Sequence, residues 1–243
     1  MKKWIVLHII FLFLSFPIQV FGQQDVPILI YHSIDEFHGH GSKELYVTPE
    51  NFEKQMNYLK EHGYTMLTFE RWNDLKKVNK PVFITIDDGY QNNENVFTIF
   101  QKLKDSRFQP TATLFIISDF IDRPNRLSGL QLKTMAQSGF FSIQSHTATH
   151  PDLTKVTNYE YELKDSKQKI EQVTGKPVIA VSYPFGSFND QVINETKKYY
   201  QFGLTTTPVI FSKKGIENEN YLLPRIYIKN STTIKNFEKI IEK

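Results

Sequence analysis

The 243-residue chain contains no cysteine. That absence removes disulfides, thiol nucleophiles, thiolate metal sites and a lipidated N-terminal Cys together, so any metal must be held by His and carboxylate. Low-complexity tracts and internal repeats are absent too, and the 11 Gly and 11 Pro are scattered as punctuation. A collagen, a coiled coil, a repeat array and a disordered tail are thereby excluded. Charge of one sign is also scarce: 29 Lys and Arg against 26 Asp and Glu leave +3. No basic block is dense enough to track phosphates, which argues against a nucleic-acid partner. What remains is 40% hydrophobic and 23% charged, the composition of an ordinary globular protein.

The N-terminus has the layout of an export signal. Lys2 and Lys3 precede an apolar run from Trp4 to Phe16, and Val20-Phe21-Gly22 closes it with a small residue. The competing reading is an uncleaved anchor, because Trp4 to Phe21 nearly reaches spanning length, although His8, Pro17 and Gln19 weaken such a span. On the first reading residues 1–22 are a signal peptide, and residues 23–243 form one secreted or cell-surface domain. It would touch a membrane only through an uncleaved N-terminal segment. Removing residues 1–22 takes two lysines and no acid, leaving a chain at +1 with weak electrostatic steering. Nothing in the sequence calls for more than a monomer.

Along the rest of the chain, apolar runs that read as buried strands alternate with amphipathic stretches that read as helices, the pattern of a mostly parallel sheet with helices outside. The strand candidates are Val26 to Tyr31, Val82 to Ile86, Thr111 to Ile117, Phe140 to Ser145, Val178 to Ser182, Phe202 to Thr205 and Leu223 to Ile228. Thr48-Pro49 predicts a capped helix running to Gly63, and Thr157 with Glu160 predicts a capping box opening a helix that stops at Gly175. Further helices are expected at Asn92 to Leu103, Gly129 to Ser138 and Asp190 to Tyr199. Trp72 is expected to pack a short capped helix against the sheet.

Polar residues cluster where the apolar runs end: Tyr31-His32, Asp87-Asp88, Ser145-His146 and Tyr183-Pro184. In parallel α/β folds the C-terminal strand ends form the active face. Asp87 and Asp88 in Thr85-Ile86-Asp87-Asp88-Gly89 put two carboxylates at the end of a buried strand, which is costly unless a cation or proton separates their charges. Taken alone, Asp-Gly is equally a turn signal. His146-Thr147-Ala148-Thr149-His150 spaces two imidazoles for one side of a helical turn, with Pro151 keeping that turn short. Two loop histidines with no common partner are the plainer alternative. Two His plus one Asp with open positions make a recognisable catalytic metal set.

Thr85 to Gly89, His146 to His150 and Ser182-Tyr183-Pro184-Phe185-Gly186, in that order, resemble the motifs of the polysaccharide deacetylase family, carbohydrate esterase family four, also called the nodulation-type deacetylase domain. Tyr31-His32 and Leu223-Pro224-Arg225-Ile226 resemble the branch that deacetylates poly-β-1,6-N-acetylglucosamine, the biofilm adhesin. The resemblance implies a deformed (β/α) barrel of about seven parallel strands in a single domain. It also implies a divalent metal, typically zinc, on Asp88, His146 and His150, with cobalt or nickel as alternatives. Asp87 would be the general base, and Tyr183, through its backbone N–H, would help hold the tetrahedral oxyanion.

Two departures from the family pattern matter. Ser182 stands where many members have an Arg that pairs with the base, and Arg225 is the candidate replacement. No His follows His150, so the general acid many members draw from near the C-terminus is assigned to His32 on the first strand. A strand-end histidine in an ordinary hydrogen bond is the alternative for His32. Tyr90, Phe185 and Phe188 are candidate platforms for sugar rings. His38 and His40, flanked by glycines, are read as a surface or lid loop rather than ligands. The expected activity is metal-dependent N-deacetylation of an N-acetylglucosamine polymer. Peptidoglycan or chitin oligosaccharides are alternative substrates, and a carbohydrate-binding protein on a decayed enzyme scaffold is an alternative of another class.

Overall fold

The computed structural model describes residues 25–242, and the expected export segment, 1–22, lies outside the described residues. Eight parallel strands share one sheet: β1 (Ile28–Tyr31), β2 (Thr65–Leu67), β3 (Pro81–Asp87), β4 (Ala112–Ile116), β5 (Phe141–Ser145), β6 (Ala180–Ser182), β7 (Phe202–Leu204) and β8 (Ile226–Tyr227). Seven follow one path, β7-β6-β5-β4-β3-β1-β8, and β2 lies off it, paired with the start of β3. At the end of the path, Leu204 of β7 forms a parallel bridge with Leu223, on the segment that leads into β8. The sheet is thus curled into a deformed (β/α) barrel, as a single domain.

Strand alternation sorts the apolar residues into two cores. Ile28, Phe83, Phe115, Ala180, Phe202 and Leu204 point inward and pack with Phe69 and Leu75. Their neighbours Leu29, Ile84, Leu114 and Ile143 point outward under the helices. Those helices are α1 (Pro49–Glu61), α2 (Glu94–Leu103), α3 (Gly129–Gln137), α4 (Ser166–Thr174), α5 (Asp190–Thr196) and α6 (Ile234–Ile241). α1 starts as its sequence predicts, with Pro49 in the first turn and the Thr48 hydroxyl accepting from Asn51 N. Trp72 packs on Phe69, Phe83, Phe202 and Phe211, although its segment, Phe69–Lys77, has no side-chain cap.

Three local expectations are corrected. Asn158, not Thr157, caps the segment before α4 by accepting from Tyr161 N, and that segment is a π-helical stretch, Glu160–Asp165. The His146 to His150 stretch is a loop and not a helical turn, with Thr147 and His150 both in the left-handed region at φ +68° and +65°. β2 and α6 are additions to the expected elements. Among the described residues, no helix is long and apolar enough to cross a membrane.

Candidate active site

The inward face that carries Phe83 in the lower barrel carries Thr85 and Asp87 higher on the same strand. Asp88 then breaks the alternation at φ +74°, and Gly89 follows at φ +65°. The positive φ of Gly89 suits glycine, and a Cβ there would also lie 2.9 Å from the tip of the Ile116 side chain, which would have to shift. This turn gives the two adjacent carboxylates different partners.

Asp87 is 2% exposed and grips Arg225 in a bidentate pair, with Nη1 and Nη2 each donating over 2.8 Å. Arg225 is itself wholly buried. Its five N–H groups donate five bonds: the two to Asp87, and one each to the Thr205 carbonyl, Thr85 Oγ1 and Ser182 Oγ. Ser182 Oγ donates in turn to Asp87 Oδ2 at 3.0 Å. Burial alone would raise the Asp87 carboxyl; the Arg225 guanidinium, assisted by His146, outweighs it and holds the group well below the usual carboxylate range.

Asp88 faces the two histidines. Its Oδ1 lies 3.6 Å from His146 Nε2 and 3.7 Å from His150 Nε2, and the three atoms lie within 4.8 Å of one another. His146 Nδ1 donates to the Ser182 carbonyl at 2.8 Å, which leaves Nε2 with its lone pair turned to Asp88. Burial lowers the pKa of both histidines, against the pull of Asp87 and Asp88 on His146 and of Asp88 and Asp87 on His150, so both rings favour the neutral form that ligates. At zinc–ligand lengths of about 2.0–2.2 Å, a tetrahedral angle sets two ligand atoms roughly 3.4 Å apart. The donor set and its spacing therefore fit one divalent cation. Asp87 Oδ2 lies 3.7 Å from His146 Nε2 and so faces the same point.

The loop holding the histidines is braced from α4's approach. Glu162, buried on the π-helical stretch, accepts from Ala148 N at 3.0 Å, Thr149 N at 2.9 Å and Thr149 Oγ1 at 2.6 Å. His150 N donates to Thr147 Oγ1, closing the loop on itself. Neither Glu162 nor the Ser182 bridge was assigned from sequence. A partner brought from a separate element leaves no local spacing to read.

His32 directly follows β1, 8% exposed, where the charges of Asp87, Asp88, Arg225 and His146 all act on it. Burial lowers its pKa and the two carboxylates pull it back up, with the reduction prevailing. Phe185 sits on the rim, 66% exposed, its ring edge-on to the His150 ring with centroids 4.7 Å apart. Tyr90 stands behind Asp88 and hydrogen-bonds it; burial, then the Asp88 charge, pushes its phenol up to about 12. Arg126 covers one face of Tyr90 at 4.1 Å and donates to the Asp88 carbonyl. Only its other face is left for a sugar. Phe188 is 40% exposed, and His38 and His40 lie on an exposed loop.

Tyr183 requires a correction. Its backbone N–H donates to the Leu204 carbonyl at 3.0 Å, so it is committed to the sheet and unavailable to an oxyanion. Its side chain is fully buried, with the hydroxyl donating to the Tyr221 carbonyl, and so binds no substrate. Gly203 makes the room: a Cβ there would lie 2.1 Å from the Tyr183 hydroxyl. Two residues on, Phe185 stands at φ +60°, and its N–H has no acceptor among the described residues.

The sequence profile of the polysaccharide deacetylase family matches residues 74–203, more than half the chain. The chain belongs to the polysaccharide deacetylase family. It is a hydrolase of amide bonds. The matched span contains Asp87, Asp88, His146, His150 and Ser182 to Gly186, while His32 and Arg225 lie outside it. A crystal structure of a polysaccharide deacetylase from Bacillus cereus is 55% identical, with a TM-score of 0.89, over 90% of this deacetylase and 69% of the other chain. A Bacillus subtilis protein that provisionally bears the name polysaccharide deacetylase is 32% identical over 89% of this chain and 76% of its own. The poly-β-1,6-N-acetyl-D-glucosamine N-deacetylase of Staphylococcus epidermidis is 28% identical over 83% and 74% of the two chains.

Proposed function

We propose that this deacetylase removes acetyl groups from β-1,6-linked poly-N-acetylglucosamine outside the cell, with one divalent cation on Asp88, His146 and His150. The observation that carries the reading is the convergence of those three ligand atoms and the Asp87–Arg225 pair on one point at the strand ends. The staphylococcal relative supports the substrate, and the export-like segment at 1–22 supports the location. Zinc suits the ligand set, and cobalt and nickel share its affinity for imidazole. The protein acts as a monomer.

Asp88, His146 and His150 would hold a divalent cation, which would supply Lewis-acid polarisation of the acetamide carbonyl and a water acidic enough to attack near neutral pH. Asp87, kept ionised by Arg225, takes a proton from the attacking water. A carboxylate held so low is a weak base, and it would suffice for a water that a bound cation would acidify. The free N–H of Phe185 donates to the oxygen that gains charge as the carbonyl becomes tetrahedral. His32, neutral at rest, first takes up the proton that the attacking water gives up through Asp87, and the imidazolium then passes it to the leaving amine as the C–N bond breaks and returns to the neutral form. The products are acetate and a free amine that becomes cationic, so the modified polymer gains affinity for anionic surfaces. The exposed Phe185 ring offers a platform for a sugar's C–H face.

The test is acetate release from the β-1,6 polymer, chitin oligomers and peptidoglycan in parallel, with chelated enzyme and enzyme reloaded with zinc, cobalt or nickel. Metal-dependent release from the β-1,6 polymer alone is expected. Release only from another glycan would overturn the substrate, and no release with any metal would point to a carbohydrate-binding protein.

A further inference from the structure

Tyr227 has no role in the chemistry above, yet it lies at its centre. It follows Arg225 by two residues across Ile226, which packs outward, so Arg225, just before β8, and Tyr227, on it, both turn inward. Its ring lies parallel to the His32 imidazole, with centroids 5.5 Å apart and planes 8° apart. The main chain of His32 is fixed separately. Asn93, wholly buried, donates from Nδ2 to the His32 carbonyl at 2.7 Å, and Asn95 donates likewise to the Ile34 carbonyl at 2.9 Å. Asn93 belongs to the turn that follows Asp87 and Asp88, so the segments of proton donor and base are tied together.

A bond to the backbone sets where the His32 Cα lies but leaves two side-chain torsions open. Neither ring nitrogen of His32 has a hydrogen-bond partner among the described residues. A partner there would occupy a nitrogen that proton transfer needs. Stacking orients the ring and leaves both nitrogens free.

We propose that Tyr227 sets the plane of the His32 imidazole by stacking, while Asn93 fixes its main chain, and that together they aim a ring nitrogen at the leaving amine. Both are positioning residues. The inference rests on His32 as the proton donor. Burial and the Asp87 charge push the Tyr227 phenol up, so it stays neutral beside the two carboxylates.

An amide needs its leaving nitrogen protonated, whereas an aryl ester expels a stable phenolate unaided. The experiment therefore compares turnover of an N-acetylglucosamine oligomer with turnover of 4-nitrophenyl acetate by metal-loaded wild type, His32→Ala, Tyr227→Leu and Tyr227→Phe. Tyr227→Leu should lower the amide-to-ester ratio about tenfold to a hundredfold, the scale of a misplaced catalytic group. Tyr227→Phe, which keeps the ring, should stay within about threefold of wild type on the same reasoning. A merely structural role would lower both activities together. If Tyr227→Leu does not fold, Tyr227→Val reads the same ratio, and Asn93→Asp tests the main-chain contact. A wild-type ratio in Tyr227→Leu beside a lowered ratio in His32→Ala overturns this inference alone, as does a Phe variant as impaired as the Leu variant. An unchanged ratio in His32→Ala removes the donor assignment itself, and the inference with it.

Discussion

The inward faces of β3 and β6 line both the lower and the upper half of the barrel interior, and the two halves are opposites in chemistry. Below lie Phe69, Phe83, Phe115 and Phe202, with ring centroids 5.0 to 6.2 Å from the Phe69 ring. Above lie Asp87, His146, Ser182 and Arg225, equally removed from solvent. The two layers meet where the Arg225 guanidinium lies 5.6 Å from the centroid of the Phe115 ring. Each lower ring stabilises the fold by about 1.5–3 kcal/mol through burial alone. The upper layer instead places ions where each costs several kcal/mol of desolvation, offset only because all five Arg225 donors and both Asp87 oxygens are matched. The lower layer is there to hold the barrel together, and the upper layer uses that rigidity to keep an ionised base and three ligands aimed at one point.

Substitutions that separate stability from chemistry sharpen this contrast. Asp87→Asn should cut acetate release by about 10²–10⁴-fold while oligomer affinity stays close to wild type, measured by single-turnover kinetics and direct binding. Lost affinity with intact turnover would break the assignment. Phe83→Ala should cost about 3–5 kcal/mol in denaturant unfolding and leave turnover per folded molecule unaltered. Arg225→Met should cost a similar ~3–5 kcal/mol, because it strands a buried carboxylate, and should remove activity as well.

The pH dependence has a definite sign. The folded Asp87 carboxyl titrates below its ordinary value of about 3.9, so its contribution to stability is complete above that pH and is lost as pH falls through the folded value. Removing Arg225 should therefore move the acid limb of both stability and activity to higher pH. An acid limb unmoved in Arg225→Met would show that the pair does not govern Asp87. The smallest effect is expected of Ser182→Ala, about 1 kcal/mol, since Arg225 and Asp87 retain their two direct bonds.

Much of this contrast was legible in the sequence. Apolar runs located all seven strands of the main path to within a few residues, because buried parallel strands are continuous in composition. Asp87, Asp88, His146 and His150 stood out because strand ends in such folds converge. Tyr183 stood out as well but was misassigned to the oxyanion, because the Leu204 carbonyl that takes its N–H comes from another strand. The three residues of β2 are too few for a periodic signal, and the loop from His146 to His150 turns on two left-handed residues that are not glycine. Glu162 was hidden for a further reason: a carboxylate on a polar stretch reads as a solvated surface group until the histidine loop is folded over it. Arg225 was readable from its motif as the replacement for the missing arginine, whereas Tyr227, two residues on, drew no attention because its partner His32 comes from the far end of the sequence.

The most direct test of the account is a crystal structure of the zinc-loaded enzyme with anomalous data collected at the zinc edge. A single peak within about 2.0–2.2 Å of Asp88 Oδ1, His146 Nε2 and His150 Nε2, with Asp87 still paired to Arg225 and outside coordination range, is the predicted result. A peak coordinated by Asp87, or no peak among these residues at saturating zinc, would contradict it.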